Sequence, residues 1–118
     1  MEADLERLRE MFAIMEADGL DVSIPLRWGH FVFHSLPEPL AQLAPEMEQV
    51  GYSCESLHED DDGQWVLQLS KTEIHSAESL HRRNLKFNDL VASRGLDLYD
   101  GWDVSVPGTV VEKPFGEA

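Results

Sequence analysis

The sequence predicts an α+β fold: a ferredoxin-like βαββαβ sandwich with an extra N-terminal helix. Two observations lead to this prediction. Apolar residues recur at helical spacing in three segments, and apolar and polar residues alternate in four shorter segments. After the first helix, these segments follow one another in the order β-α-β-β-α-β. Two crossovers around a central hairpin are typical of four antiparallel strands with both helices on one face.

The first predicted element is a helix over residues 3–18. Its apolar side chains lie three or four residues apart, as on one face of a helix: Leu5, Leu8, Phe12 and Met15. Gly19 follows Asp18 and suits the left-handed conformation that often ends a helix. The apolar stripe can pack on the sheet of the same domain, or on a second copy or a partner, and the sequence leaves both alternatives open.

Residues 28–35 are predicted to form the first strand, because aromatic and β-branched residues dominate this segment. Side chains alternate between the two faces of a strand. One face would therefore carry Phe31 and Phe33. The other face would carry His30, Val32 and His34.

A second helix is predicted between Ser35 and Gly51. Ser35 and Glu38 have the serine and glutamate spacing of a capping box, which marks the start of a helix. Gly51 is expected to end it. Pro45 lies in the middle, where it removes one backbone hydrogen bond, so we predict a kink or a late start.

The remaining elements alternate between strand and helix. Strands are predicted at residues 52–59 and 65–71, and the segment Asp60-Asp61-Asp62-Gly63 between them is a hairpin turn. The longest helix covers residues 76–94, and the last strand covers residues 102–106. Four side chains of the longest helix are predicted to point inward: Leu80, Asn84, Phe87 and Val91.

These elements divide the chain into three parts. Residues 1–27 are the N-terminal helix and a linker, and residues 28–107 are the ferredoxin-like domain. Residues 108–118 contain Pro114 and Gly116 and are expected to form a loose C-terminal tail.

The charge of the chain is strongly negative and unevenly distributed. Twenty-three acidic residues and nine basic residues give a net charge of −14. The chain would therefore repel a nucleic acid or an anionic membrane, so neither is an expected partner. Residues 71–94 carry a net charge of +2, whereas the rest of the chain carries −16. An acidic surface of this kind suits a basic partner, although acidity alone also keeps a protein soluble.

Other functional classes find little support in the sequence. No apolar run approaches the roughly 20 residues that cross a bilayer, and the acidic N-terminus differs from a secretory signal. The single cysteine, Cys54, fits a reducing cytoplasm. A nucleophile elbow, a phosphate-binding loop and a Cys-x-x-Cys motif are all missing. We therefore expect a cytoplasmic protein that is not an enzyme and has no cofactor.

Five histidines raise the question of a metal site. His30 and His34 share a strand face but would lie ~13 Å apart, and His75 and His81 point in different directions on a helix. The acidic hairpin lacks the ligand spacing of an EF-hand. We therefore expect no metal, and a histidine site on the sheet is kept as a third alternative.

Two clusters are the candidates for contact with a protein partner. One is the acidic hairpin, and the other is a tyrosine and a tryptophan that flank an Asp-Gly pair near the last strand. Large amphipathic rings serve both in cores and as interface anchors, so both roles are open for the second cluster. The candidate partner-binding residues are Glu59, Asp60, Asp61, Asp62, Tyr99, Asp100 and Trp102.

Several short motifs in order resemble the regulator of ribonuclease activity B family, small bacterial proteins that inhibit ribonuclease E. The resemblance covers roughly residues 10 to 106, and the Tyr-Asp-Gly-Trp motif is its most specific part. The matching motifs are Asp18-Gly19-Leu20-Asp21, Pro25-Leu26-Arg27, His30-Phe31-Val32-Phe33, Val50-Gly51-Tyr52, Trp65-Val66 and Tyr99-Asp100-Gly101-Trp102.

The resemblance implies a ferredoxin-like fold, no enzymatic activity and inhibition of an endoribonuclease by protein–protein contact. It implies binding to the noncatalytic scaffold region of ribonuclease E, which is rich in basic RNA-binding sequence. The alternative is a ferredoxin-like small-molecule-binding or dimeric interaction domain. That alternative predicts an apolar pocket lined by Trp28, Trp65 or Trp102. The sequence does not determine the oligomeric state.

Overall fold

A computed structural model describes residues 1–107, which form three helices and four strands. The tail predicted at residues 108–118 lies outside the described residues. The elements are α1 (Leu5–Ala17), β1 (Leu26–His34), α2 (Pro37–Gln49), β2 (Ser53–Glu59), β3 (Trp65–Glu73), α3 (Ala77–Arg94) and β4 (Leu98–Ser105). Within residues 1–107, none of the helices is both long enough and apolar enough to cross a membrane.

The four strands form one sheet in the order β2-β3-β1-β4. Every neighbouring pair is antiparallel, and β1 pairs along its length with both β3 and β4. The central strands are therefore β1 and β3, while β2 and β4 lie at opposite edges. This order and the sequence of elements confirm the predicted α+β fold with an extra N-terminal helix, and they are compatible with a ferredoxin-like sandwich.

One face of the sheet is buried under helices, with α2 packed on β2 and β3 and α3 packed on β4. On β1 the buried face carries His30 and Val32, whereas Phe31 and Phe33 point to the opposite face and stay partly exposed. The inward side chains of α3 are those that the sequence predicted. The main core consists of Val32, Leu40, Leu43, Tyr52, Leu67, Leu69, Phe87, Val91, Leu96 and Tyr99.

The helix α1 packs on this domain's own sheet and on α3. Leu8 and Phe12 are buried in a second cluster that also contains Leu26, Trp28 and Leu80. The rings of Phe12 and Trp28 stack with their centroids 5.8 Å apart. Of the two alternatives that the sequence left open for the apolar stripe, the structure shows packing within the same chain.

The start of α2 differs from the prediction. The N-terminal capping residue is Leu36, which makes no side-chain capping bond, so the capping box predicted at Ser35 and Glu38 is wrong. Pro37 occupies the first turn, where a missing N–H costs nothing and the fixed φ favours a helix. A capping box exists instead at the start of α3, where Ser76 and Ser79 bond each other's backbone N–H groups.

Pro45 lies within α2 and does not delay the start of that helix, so the predicted late start is wrong. The missing N–H leaves the carbonyl of Ala41, four residues earlier, without its helical partner. Both residues are on the exposed side of the helix, where water can bond to that carbonyl.

The last strand begins four residues earlier than predicted, because the Asp-Gly pair forms a bulge within the strand. Val32 pairs with Tyr99 and Phe31 pairs with Gly101, which leaves Asp100 as the extra residue. Gly101 has a φ of 112°, a conformation that favours glycine. Strict alternation would place Tyr99 and Trp102 on opposite faces, but the bulge turns both side chains toward the helices.

The packing of α1 can be tested with a pair of substitutions on that helix. We expect Phe12→Ala to lower the free energy of unfolding by about 3 kcal/mol, because it leaves a cavity beside Trp28. Ile14→Ala is the matched control, since Ile14 is 61% exposed, and it should change stability by less than about 0.5 kcal/mol. Urea denaturation followed by circular dichroism measures both values. Equal small losses would show that α1 is not part of the cooperative fold.

Candidate partner-binding surface

The start of β4 is fixed by Tyr99, whose side chain is fully buried. Its hydroxyl donates a hydrogen bond to Asn84 Oδ1 on α3 (2.8 Å) and lies 2.8 Å from His30 Nδ1 on β1. Since a tyrosine hydroxyl has one proton, His30 must donate from Nδ1. The ring also stacks on Phe87 at a centroid distance of 4.8 Å. The prediction that Tyr99 contacts a partner therefore needs correction, because the structure gives its side chain no exposed surface.

His30 is fully buried beside Tyr99 and is held in its neutral form. Burial, and to a smaller extent the nearby charges of Arg83 and His75, lower the pKa of His30 to about 3. Its Nε2 atom has no hydrogen-bond partner among residues 1–107, and its ring stacks on Phe87 at 4.6 Å. An uncharged imidazole among aromatic rings is a structural group that joins β1 to β4.

Trp102 lies at the surface, on the same side of the sheet as Tyr99. Its ring packs against Trp28, with centroids 5.7 Å apart, and its remaining surface lines a cleft of about 240 Å³ between the start of α1 and β4. The apolar part of the cleft is completed by Met1, Leu8 and Met11. Trp102 is therefore half core residue and half surface residue.

The polar part of this cleft is acidic. Glu2, Asp4 and Asp100 line it together with one base, Arg7, and all three carboxylate residues are exposed. Asp4 has a second role, since its side chain caps α1 by accepting a hydrogen bond from the backbone N–H of Arg7 at 3.2 Å. Asp100 is the extra residue of the bulge, so its side chain is free to face solvent. We call this site the acidic cleft.

Carboxylates around a tryptophan ring can recognise a basic side chain. A lysine or arginine that enters the acidic cleft would find anionic acceptors for its hydrogen bonds and the indole of Trp102 for a cation–π contact. The residues from α1 were missed by the sequence analysis, because no local pattern indicates that Glu2 and Asp4 come to lie beside Asp100. Only the acidic composition of the N-terminal segment hinted at it.

The acidic hairpin forms a separate site. The side chain of Asp60 holds the turn by accepting hydrogen bonds from the backbone N–H groups of Asp62 and Gln64, both at 2.9 Å. Glu59, Asp61 and Asp62 are exposed. The hairpin begins at the edge strand β2, and three strand spacings, or about 14 Å, separate this edge from β4. The structure therefore does not bring the two predicted clusters together.

The histidines do not assemble into a common site. Over residues 1–107, the structure contains no group of three or more histidine, cysteine and acidic side chains that could hold a metal ion. His75 is buried between Ser79 and Glu73, with hydrogen-bond distances of 2.8 and 3.1 Å. His34 lies 3.5 Å from Asp97 at the end of the sheet. Each of these histidines has a local structural contact.

The small-molecule alternative expects one or another of the three tryptophans to line an apolar pocket, and the three have different environments. Trp28 is fully buried in the core, and Trp65 packs against the main core from the start of β3. Trp102 alone of the three lines one of the depressions described in residues 1–107, and that depression is the acidic cleft.

Buried His30 makes stability depend on pH. The unfolded chain binds a proton at the ordinary histidine pKa of 6.5, whereas the folded chain resists protonation until about pH 3. Acidification below 6.5 therefore favours the unfolded state, and stability is lost as the pH falls. We expect the free energy of unfolding to drop by about 2 kcal/mol between pH 7 and pH 5 through His30, measured by urea denaturation at each pH.

Two variants assign this pH dependence. His30→Gln should remove the part due to His30 and leave the part due to His75, whose pKa is also lowered by burial, whereas His58→Gln, at an exposed position, should leave both parts unchanged. Should His30→Gln fail to fold, the ring signals of His30 can be followed by NMR in the unaltered protein. Titration of that ring above pH 5 in the folded state would contradict the assignment.

A family model described as Regulator of ribonuclease activity B matches residues 5–104, which covers all seven helices and strands apart from the last residue of β4. No curated protein matches the chain.

Proposed function

Since the chain belongs to the regulator of ribonuclease activity B family, we propose that it inhibits an endoribonuclease of the ribonuclease E type by binding it, without catalysis of its own. The observation that carries the proposal is the family match over residues 5–104. The partner region would be the basic, noncatalytic scaffold of the nuclease. The compartment would be the cytoplasm, where such a nuclease meets its RNA.

Electrostatics supports a basic partner. The chain carries a net charge of −14, and opposite charge on a partner accelerates the encounter and disfavours wrong partners. The acidic cleft adds a specific contact, because Asp100 and Trp102 flank a space into which a single lysine or arginine fits. A scaffold segment held there would be unable to bind RNA with the same basic side chains.

The N-terminal helix belongs to the proposed binding surface. Glu2 and Asp4 reach the acidic cleft because α1 packs beside Trp28 and Trp102. We therefore propose that residues 1–27 and the sheet domain of residues 28–107 act as one binding unit.

The environment of Cys54 supports a role without thiol catalysis. Partial burial, with smaller contributions from Glu48 and Glu55, raises the pKa of Cys54. The thiol therefore stays protonated near neutral pH, and a protonated thiol is a poor nucleophile. This is the chain's single cysteine.

The proposed function is tested by RNA cleavage with two forms of ribonuclease E. We expect the protein to slow cleavage by the full-length nuclease and to leave the isolated catalytic part unaffected, because the scaffold region is the proposed target. The control is the same assay with a heat-unfolded sample of the protein. Equal inhibition of both forms would place the target in the catalytic part, and no binding at physiological salt would refute the proposal.

A matched pair of charge reversals separates the acidic cleft from the acidic hairpin. We expect Asp100→Lys to weaken binding to the scaffold region by about tenfold, because it places a cation beside Trp102. Asp61→Lys makes the same charge change at the opposite edge of the sheet and should weaken binding by about twofold at most, through long-range attraction alone. Biolayer interferometry at two salt concentrations measures both. A larger loss from Asp61→Lys would assign the contact to the hairpin.

A further inference from the structure

A groove between α2 and α3 has the opposite electrostatic character to the rest of the molecule. Its volume is about 350 Å³, which falls at the lower end of the range for ligand sites. The floor is apolar and is formed by Met47, Val50, Tyr52, Phe87 and Leu90. The rim is cationic and consists of Lys71, Arg83 and Lys86. We call this site the basic-rimmed groove.

The positive charge at this rim is only partly neutralised by the protein. Arg83 forms a bidentate ion pair with Glu73, at 2.5 and 3.0 Å. Lys71 and Lys86 form no ion pair with the carboxylates of residues 1–107, although acids outnumber bases by more than two to one in the chain. By contrast, Arg9, Arg27 and Arg94 each have a carboxylate partner.

Two of these cations lie near the same aromatic ring of the floor. The ammonium of Lys71 and the guanidinium of Arg83 lie 5.2 and 5.6 Å from the centroid of the same ring, that of Tyr52. Two positive charges therefore lie beside one aromatic ring at the edge of the apolar floor. The groove offers a carboxylate a position near positive charge and directly beside an apolar surface.

The positive charge continues beyond the groove along α3. Arg82 is exposed and lies one helical turn before Lys86, and both residues line a neighbouring depression together with Arg83. A single small carboxylate would use only one of these positions. The extended row of cations next to one apolar floor instead matches a chain that carries several carboxylates around one apolar group.

From these observations we propose that the basic-rimmed groove binds an acidic segment of another protein, with a large apolar side chain of that segment seated on Phe87 and Leu90. The net charge of −14 repels any long polyanion, so RNA, with a charge on every phosphate, is less favourable than a protein segment that needs only the few carboxylates facing the rim. The groove lies between α2 and α3, whereas the acidic cleft lies between α1 and β4. The molecule thus carries an acidic cleft that suits cations and a basic-rimmed groove that suits anions. The groove is separate from the proposed ribonuclease contact.

The test uses a fluorescein-labelled peptide of glutamates with one central phenylalanine, added to the full chain at low salt. Fluorescence anisotropy gives the affinity, and amide NMR shifts locate the site. We expect shifts at Tyr52, Phe87 and Leu90. Lys86→Gln should weaken binding about threefold to fivefold, and Val50→Ser, at a position 60% exposed, should also weaken it by removing part of the apolar floor.

Matched controls make each outcome decisive. Arg9→Gln removes the same charge from an exposed base on α1 that lines neither site, and should change the affinity by less than about twofold. An equal loss from Arg9→Gln, or equal binding of a peptide with serine in place of phenylalanine, would overturn the proposal. Tighter binding of an oligouridine RNA would overturn it in favour of nucleic acid. Self-association of the protein that Lys86→Gln abolishes would overturn it in favour of a second copy.

This test is independent of the ribonuclease assay, since it uses the isolated protein and a synthetic peptide. If Lys86→Gln binds the peptide more weakly but still inhibits ribonuclease E normally, both proposals stand as separate sites. If Asp100→Lys no longer inhibits ribonuclease E but still binds the peptide, this result would also support two separate sites.

Discussion

The hydroxyl of Tyr99 is the point at which β1, β4 and α3 meet, because it bonds both His30 and Asn84 inside the core. Apolar contacts alone could accept small shifts of the edge strand, since they have no preferred direction. Two buried hydrogen bonds are directional and costly to leave unmade. They therefore determine the register of β4 on β1, and the register in turn places Asp100 and Trp102 at the acidic cleft.

The packing of the helices explains why the two proposed binding sites differ. Glu2 and Asp4, which precede α1, bring acidic side chains to β4 at the acidic cleft. The basic-rimmed groove lies between α2, which packs on β2 and β3, and the part of α3 that carries Arg83 and Lys86. The sheet keeps these helices in fixed positions and so keeps the two charges apart. The molecule is acidic as a whole, but its helical surface presents an acidic site and a basic site to different directions.

Local patterns in the sequence were sufficient to predict the elements, their order and the inward side chains of α3. They failed at the boundaries of elements. The last strand begins at Leu98 rather than at residue 102, because the Asp-Gly pair is a bulge within β4 and not the entry to it. Ser35 and Glu38 match a capping box by spacing, but Pro37 begins the helix there. The acidic cleft was beyond prediction because it depends on how α1 packs against β4, which is a long-range contact.

The bulge at Asp100 and Gly101 also affects how this chain can change in evolution. Two inward-facing rings three residues apart require one extra residue in the strand, and Asp100 is that residue because it has no partner on β1. Removal of Asp100 would restore regular alternation and keep both rings inward, but the acidic cleft would lose this carboxylate. Substitution of Asp100 leaves the pairing of Tyr99, Gly101 and Trp102 with β1 unchanged. Descendants of this sequence can therefore alter the chemistry of the cleft one residue at a time while keeping its position on the sheet.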